Sequence, residues 1–542
     1  MSKRGTSDHP EQNHPSTKRA KEVDAPETPY QELRSLLDGQ ESVESTKRVL
    51  HWFRSKDLRI HDNRALNAAS QFAKESKAPL LCAYLNCPAE FIWHGTSPAR
   101  TDFICENLSL MHSELKKLDI PLVFLEASER DEIVPTIVKF IRENDISHVF
   151  ANYEYEIDEL RRDIKVMKDA SSGNSKSKGF HLSFHHDQTA REPGTMMTAG
   201  GKAMKVFTPY HKAWLGEVKS NPELIETVAP PSKNPAEAKK ELKSFFNSAA
   251  PKPPKEKQFA SNEERDRIRK LWPAGHKAAT DRLAHFLDDK IAEYAATRSN
   301  PAKDSTSRMS AYLSAGVISV REILTAVSKR NNNSTDFSQS GCDVGMASWV
   351  RELVFRELYR QTTVETPHTS MNMPQNLKFD FVNWEDDDEG YKRWEEGTLG
   401  VPFVDAGMRQ IKHEAYMHNR LRMNVSSYLY CNLLIDYRRG ERYFAETLID
   451  WDLSNNTQGW EPSYTVFNPV SQAERNDPEG EYIRKWLPEL RDVKGKAVFD
   501  PYHRLDKKEF EKLGYPEPYV DWHETKQRCM ERFKSDMKDA EP

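Results

Sequence analysis

Between positions 48 and 153 the sequence repeats one unit: a short apolar run followed by an amphipathic segment of helix length. The runs fall at 48–53, 78–85, 120–127 and 148–153, with helix-length segments such as 103–118 and 132–143 between them. Apolar runs of this length suit strands covered on both faces, and the intervening helices supply the crossovers that parallel pairing requires. The pattern predicts an N-terminal α/β domain built on a doubly wound parallel sheet. No GxGxxG or Walker glycine pattern follows any run, so the usual dinucleotide fingerprint is missing. From about Lys277 to Trp486 helical periodicity takes over and strand-like runs become few, which predicts an all-α C-terminal domain.

A chain of 542 residues has room for both domains. Its net charge of −5 means that any contact with nucleic acid must come from a local basic patch. Six cysteines (82, 87, 105, 342, 431 and 529) are scattered without a CxxC pair. That spacing argues against a zinc site or a disulfide scaffold and fits a reducing compartment. No run reaches membrane-spanning length, and no signal-peptide pattern opens the chain. Residues 1–45 are polar, contain proline and have almost no aromatics, so they are expected to be disordered. Two basic clusters there, Lys3-Arg4 and Lys18-Arg19-Ala20-Lys21, read either as a bipartite nuclear-import signal or as an ordinary charged tail. The Ser/Gly/Lys-rich and Pro/Lys-rich composition of 170–280, which includes the segment from Lys205 to Trp214, suggests a surface crossover.

The chemistry concentrates between Gly397 and Asn456. Asn419, Arg422 and Met423 are spaced i, i+3, i+4 and share one helix face. An amide, a guanidinium and a thioether facing one way suit a ligand that is part anion and part flat ring, although a solvated face with one core methionine has the same spacing. The stretch closes on Asp450-Trp451-Asp452-Leu453-Ser454-Asn455-Asn456. Burying two neighbouring carboxylates without donors would cost several kcal/mol, so a ligand is one explanation for them. Upstream, Ser305-Thr306-Ser307-Arg308-Met309-Ser310 places hydroxyls at a predicted helix start, either as caps or as an anion site with Arg308 as the cation. No Ser-His-Asp set, metal cluster or catalytic carboxylate pair emerges, which leaves the difficult step to a cofactor.

The segments VDAGMRQ, MHNRLRM and GERYFAETLIDWDLSNN, with TSRMS and the opening Trp52-Phe53-Arg54…Leu58-Arg59…His61-Asp62-Asn63, resemble the photolyase/cryptochrome family. The closest likeness is to the class I, fungal-like branch that repairs cyclobutane pyrimidine dimers, and it runs from about Val49 to about Leu490. The resemblance implies a tail at 1–45, an antenna domain at 46–185, a connector at 186–276, a helical FAD- and DNA-binding domain at 277–515 and a tail at 516–542. It implies that Tyr294, Thr306, Ser307, Arg308, Met309 and Ser310 grip FAD near its diphosphate. Trp349, Arg356, Asn419 and Arg422 would line the flavin, Asp450 and Asp452 would accept from its N–H and sugar groups, and Asn456 would face N5 and favour the reduced state. Glu352 would contact the dimer, with Arg298, Phe355, Arg420, Met423 and Gln472 on the DNA side and Arg360 and Lys485 as further basic contacts. Trp460, Tyr437 and Trp384 would relay electrons from the flavin to the surface. Asp158 and Glu159 stand at the antenna position, where folate-holding members carry Asn-Glu; the resemblance implies methenyltetrahydrofolate ahead of deazaflavin, with an empty pocket as the other alternative.

Three further departures from the family pattern stand out. Tyr437 replaces a relay tryptophan, Phe355 replaces a tryptophan that packs on the dimer, and the chain passes from Trp460 through Glu461-Pro462-Ser463-Tyr464 to Thr465 without the usual loop. The reading implied is light-driven repair of pyrimidine dimers in DNA by a monomer in the nucleus, with a mitochondrial pool and no membrane. The alternatives are a cryptochrome-like blue-light receptor with weak or no repair, and a helical DNA-binding protein without flavin.

Overall fold

The computed structural model describes residues 15–41, 43, 45–93, 95–171 and 179–542. Five parallel strands, β1 (Arg48–Phe53), β2 (Leu80–Asn86), β3 (Leu122–Glu126), β4 (Ile146–Asn152) and β5 (His181–His185), form one sheet in the order β3-β2-β1-β4-β5. Val49 pairs with Leu80 on one side and His148 on the other, so β1 is central and is buried from Val49 to Phe53. Four strands lie where the apolar runs predict them. The edge strand β5, HLSFH, was not expected, because alternating polar residues replace the continuous apolar run. Beyond it, the named secondary structure of the described residues is helical.

Three segments depart from expectation. The tail at 1–45 is not wholly disordered: helices Thr17–Asp24 and Pro29–Asp38 form within it. The second opens on a capping box between Thr28 and Gln31 and buries Tyr30 and Leu33, with the Tyr30 ring 5.8 Å from that of Tyr153. Lys18, Arg19 and Lys21 are exposed on the first helix, while Lys3 and Arg4 lie outside the described residues. Within the connector at 186–276, Phe207–Ser220 is a packed helix, with Tyr210 and Trp214 in the core. The tail at 516–542 contains the helix Trp522–Lys538, whose Cys529 and Phe533 are fully buried.

The two lobes share a hydrophobic core that runs from the sheet into the helices, where the Phe103 and Tyr312 rings lie 5.5 Å apart. At the junction, Leu58 N–H donates to the Ala315 carbonyl (3.1 Å) and Arg59 Nη1 to the Gly316 carbonyl (3.0 Å). A Cβ at Gly316, whose φ is 67°, would fall 1.8 Å from the Lys56 carbonyl oxygen, so only glycine fits. Four buried charges complete the junction. Arg321 binds Asp187 (2.6 Å) and Asp62 (3.0 Å), and Arg59 also pairs with Asp187. Among the described residues no helix is long and apolar enough to cross a membrane, and no group of three or more His, Cys, Asp or Glu side chains could hold a metal ion.

Candidate functional site

A cavity of about 680 Å³ opens between the helices of the C-terminal lobe. That volume is in the range of cofactor pockets. The helix Val344–Glu365 presents Trp349, Glu352 and Arg356 to it at i, i+3, i+7, while Val350 and Val354 on other faces enter the core. The loop from Thr306 to Met309 and the short helix Ser310–Ser314 form another wall. Asn419, Arg420, Arg422 and Met423 come from the helix Asn419–Ser427, and Asn456 and Trp460 from Leu453–Trp460.

The hydroxyls of the loop do not cap the helix after it. Met309 holds the cap position, and no side chain hydrogen bonds there. Ser307 Oγ instead accepts from Trp349 Nε1 (3.3 Å) and Met309 N–H (3.4 Å). Arg308 has a φ of 50°, a left-handed backbone unusual for a residue with a side chain. Its guanidinium lies 3.3 Å from Glu414 and over the Tyr416 ring at 5.1 Å.

Asp450 and Asp452 are buried, but each already has an arginine. Asp450 receives two hydrogen bonds from Arg422 Nη2 (3.0 and 2.8 Å). Asp452 is gripped by both terminal nitrogens of Arg360 and accepts from Asn455 N–H (3.0 Å), so it also caps the helix carrying Asn456. Burial would raise the Asp452 pKa, but Arg360 outweighs it and holds the carboxyl well below its ordinary range. The expectation that these acids need a ligand is therefore corrected, and Arg360, only 1% exposed, cannot serve as a DNA contact.

The shortage of charge lies elsewhere. Arg356 donates to the backbone carbonyls of Gln188 and Leu313 and, among the described residues, has no carboxylate within ion-pair range. Burial, then the neighbouring Arg360 charge, pushes its pKa down to about 9. Three nitrogens of cavity-lining residues, His418 Nε2, Arg420 Nε and Trp451 Nε1, are buried without a hydrogen-bond partner among the described residues. A cation without a counter-ion, orphaned donors and a strained serine/threonine loop fit an anionic ligand with a flat polar ring.

Tyr294, Thr306, Ser310, Arg298, Glu352 and Phe355 also line the cavity. Glu352 is ion-paired with Arg298, and Arg420 Nη2 donates to Ser299 Oγ (3.0 Å). Asn419 and Met423 are exposed, which puts them at the rim. Gln472 is not a lining residue, and its side-chain oxygen accepts from Asn476 (3.3 Å). Lys485 lies over the Trp486 ring at 4.9 Å and is also outside the cavity.

Of the three expected relay residues, Trp460 lines the cavity, while Tyr437 and Trp384 are not lining residues and sit together with ring centroids 6.2 Å apart. Trp384 is half-buried, with the Phe533 ring edge-on at 5.8 Å. The Tyr437 hydroxyl is buried without a partner. Two residues were missed by sequence reasoning. Trp394 lies 6.2 Å from Trp460, and Tyr416 sits between the cations of Arg308 and Arg422. Neither carries a local signal, because each owes its place to contacts distant in sequence.

The antenna pair stands apart from this cavity. Asp158 accepts from Arg130 (2.8 Å) and Trp93 Nε1 (3.1 Å), whereas Glu159 Oε2 is buried without a partner among the described residues. Burial pushes the Glu159 pKa up to about 8.

Residues 49–233 match the family model described as DNA photolyase, and residues 349–535 match the FAD binding domain of DNA photolyase. Over 515 residues the chain is 36% identical to the deoxyribodipyrimidine photo-lyase of Neurospora crassa, covering 91% of this chain and 83% of that one. This chain belongs to the DNA photolyase family. The deoxyribodipyrimidine photo-lyase of Escherichia coli is 34% identical, over 90% of this photolyase-family chain and 99% of its own. A solved bacterial class III photolyase from Agrobacterium tumefaciens superposes with a TM-score of 0.77 at 27% identity, covering 93% of this chain and all of that one. The Synechocystis cryptochrome, at 24% identity and a TM-score of 0.72 over 91% of this chain and all of that one, shares the fold.

Proposed function

We propose that this chain is a deoxyribodipyrimidine photolyase: a carbon–carbon lyase that uses reduced FAD and light to split cyclobutane pyrimidine dimers in DNA. The main support is that one cavity gathers the uncompensated Arg356, the strained Thr306–Met309 loop and the Asn456 amide together with Glu352 and Phe355. Bound reduced FAD supplies an electron to the dimer under light and recovers it once the ring has opened.

The protein's part is to hold, orient and exclude water. Arg308, Ser307 and Ser310 would hold the diphosphate, and Arg356 would balance negative charge on the flavin. Asn456 Nδ2 donates to the Glu441 carbonyl (3.0 Å), which leaves its side-chain oxygen as an acceptor. An amide has no acidic proton, so this residue cannot protonate the ring as a carboxylic acid would. Glu352 must exchange Arg298 for the lesion, and the released Arg298 becomes available to a phosphate. A dimer is already poorly stacked, which lowers the cost of drawing it out of the duplex.

Methenyltetrahydrofolate is proposed as the antenna at Glu159, whose partnerless oxygen suits a pterin N–H edge, while Asp158 is taken by Arg130. Reconstitution with the folate tests this by its absorbance. The exposed Lys18, Arg19 and Lys21 support nuclear import, to be tested by alanine replacement in a fluorescent fusion. A mitochondrial pool and a monomeric state complete the reading, tested by fractionation and by sedimentation. The deciding experiment illuminates the reduced holoprotein with ultraviolet-treated DNA and counts dimers. Their loss is expected. Flavin-loaded protein that leaves dimers intact would give the blue-light receptor the better claim, and protein that refuses flavin would overturn both.

A further inference from the structure

Phe355 does not stand alone at the rim. The Phe207 ring, from the helix Phe207–Ser220, lies face to face with it, with centroids 3.4 Å apart and planes 3° from parallel. His211, one turn along that helix, stacks on Phe207 at 5.3 Å and 14°. The Arg351 guanidinium lies beside the pair, 5.3 Å from the Phe207 centroid and 5.6 Å from that of Phe355. Arg351, Phe355 and Tyr359 form an i, i+4, i+8 stripe on the helix Val344–Glu365, so the pile follows that helix.

Two observations separate this pile from ordinary core packing. Its members are half-buried or exposed, and the adjacent Val206 is 65% exposed, although aromatic and apolar groups with no partner usually sit inside. The helix bearing Phe207 is also fixed independently. Trp214 Nε1 donates to the buried carboxylate of Glu357 (2.6 Å), whose other oxygen accepts from Ala190 N–H (2.6 Å). Phe207 is thus delivered to Phe355 by a rigid element.

A lone phenyl ring offers a base less area than an indole and must give up rotamer freedom to stack. A second ring behind it removes that freedom beforehand, and the guanidinium at the edge of the pair places a cation near the platform. We propose that Phe207 is a positioning residue for the lesion: it locks Phe355 into a flat platform on which an extruded pyrimidine dimer stacks, with Arg351 placed for a flanking phosphate. The proposal rests on the repair reading above. It restores, through a residue from the connector, part of what the phenylalanine and the short Glu461–Thr465 segment take away.

The test measures dissociation constants of the FAD-loaded reduced protein for dimer-containing and undamaged oligonucleotides. Phe207→Ala is expected to weaken dimer binding about tenfold, while undamaged DNA changes by less than about twofold. FAD content and splitting yield at saturating substrate should stay at the wild-type level. Phe207→Leu, which keeps bulk without a flat face, should lose the same affinity even if the alanine variant folds poorly, and Phe207→Tyr should restore it. The double variant with Phe355→Ala should bind no more weakly than Phe355→Ala alone, because Phe207 acts through that ring. Unchanged dimer binding in Phe207→Leu, or additive losses in the double variant, would overturn the proposal. A wild-type protein that cannot tell damaged from undamaged DNA overturns the repair reading itself, and this proposal with it.

Discussion

Replacing Asp452 by asparagine isolates one charge at the heart of the cavity. Asparagine caps a helix as well as aspartate does, so the Asn455 N–H keeps an acceptor and the helix Leu453–Trp460 keeps its start. What disappears is the counter-charge of Arg360, which is 1% exposed and has no route to water. Removing one partner of a buried pair costs about 3–5 kcal/mol, since the other is left ionised in a poor solvent. The upper part of that range applies here, because the half-buried Arg356 is a second cation close enough for Arg360 to depress its pKa. Urea unfolding of matched apoproteins, followed by tryptophan fluorescence, should show this loss for Asp452→Asn, and flavin retention should fall with it. Adding Arg360→Gln to Asp452→Asn removes the stranded charge and should recover most of the stability. A single variant within about 1 kcal/mol of wild type, or a double variant no better than the single, would refute the charge argument.

Other expectations follow from the same geometry. Tyr437→Trp should speed photoreduction of oxidised flavin in transient absorption, because burial pushes the tyrosine pKa far up and its hydroxyl has no partner to take a proton on oxidation; an unchanged rate would remove Tyr437 from the route. Gly440→Ala should destabilise the protein by about 1–3 kcal/mol and displace Trp460, since the new Cβ would fall 2.2 Å from the indole; a thermal melt with intact flavin reduction checks it. At low pH the lobe junction should weaken. Burial alone would raise the Asp187 pKa, but Arg59 and Arg321 hold it at about 2 against an ordinary 3.8. Its stabilisation, about 2 kcal/mol, is therefore complete above pH 4 and lost as the pH falls towards 2. An acid titration of Asp187→Asn should be flatter over that interval than that of wild type.

The legible parts of this fold are those in which local pattern and tertiary role coincide. β1, β2 and β4 are covered on both faces, so their sequences are mostly apolar and announce strands. β5 sits at an edge and alternates, which hides it. The helix Pro29–Asp38 had its signals in plain view, a Thr28–Gln31 capping box and an apolar pair at i, i+3, but the average polarity of the tail concealed them. The site shows the same division. The serine/threonine loop, the MHNRLRM helix and the DWDLSNN turn carry chemistry in short motifs, and the structure brings them to one cavity. The pairing of Asp452 with Arg360, 92 positions away, has no short-range trace, so two satisfied carboxylates looked like acceptors awaiting a ligand. Separation in sequence also hid Phe207 behind Phe355, because the composition of the connector gives no hint of a helix that reaches the rim.

The contact between Gly316 and the Lys56 carbonyl has a consequence for how the molecule comes apart. The turn after β1 rests directly on the segment that follows the Thr306–Met309 loop, so prising the lobes apart disturbs the cradle before any helix around it melts. Cofactor release then becomes an early gauge of wear at a seam some distance from the chromophore. Reciprocally, each molecule that stays coloured helps to keep the sheet lobe seated.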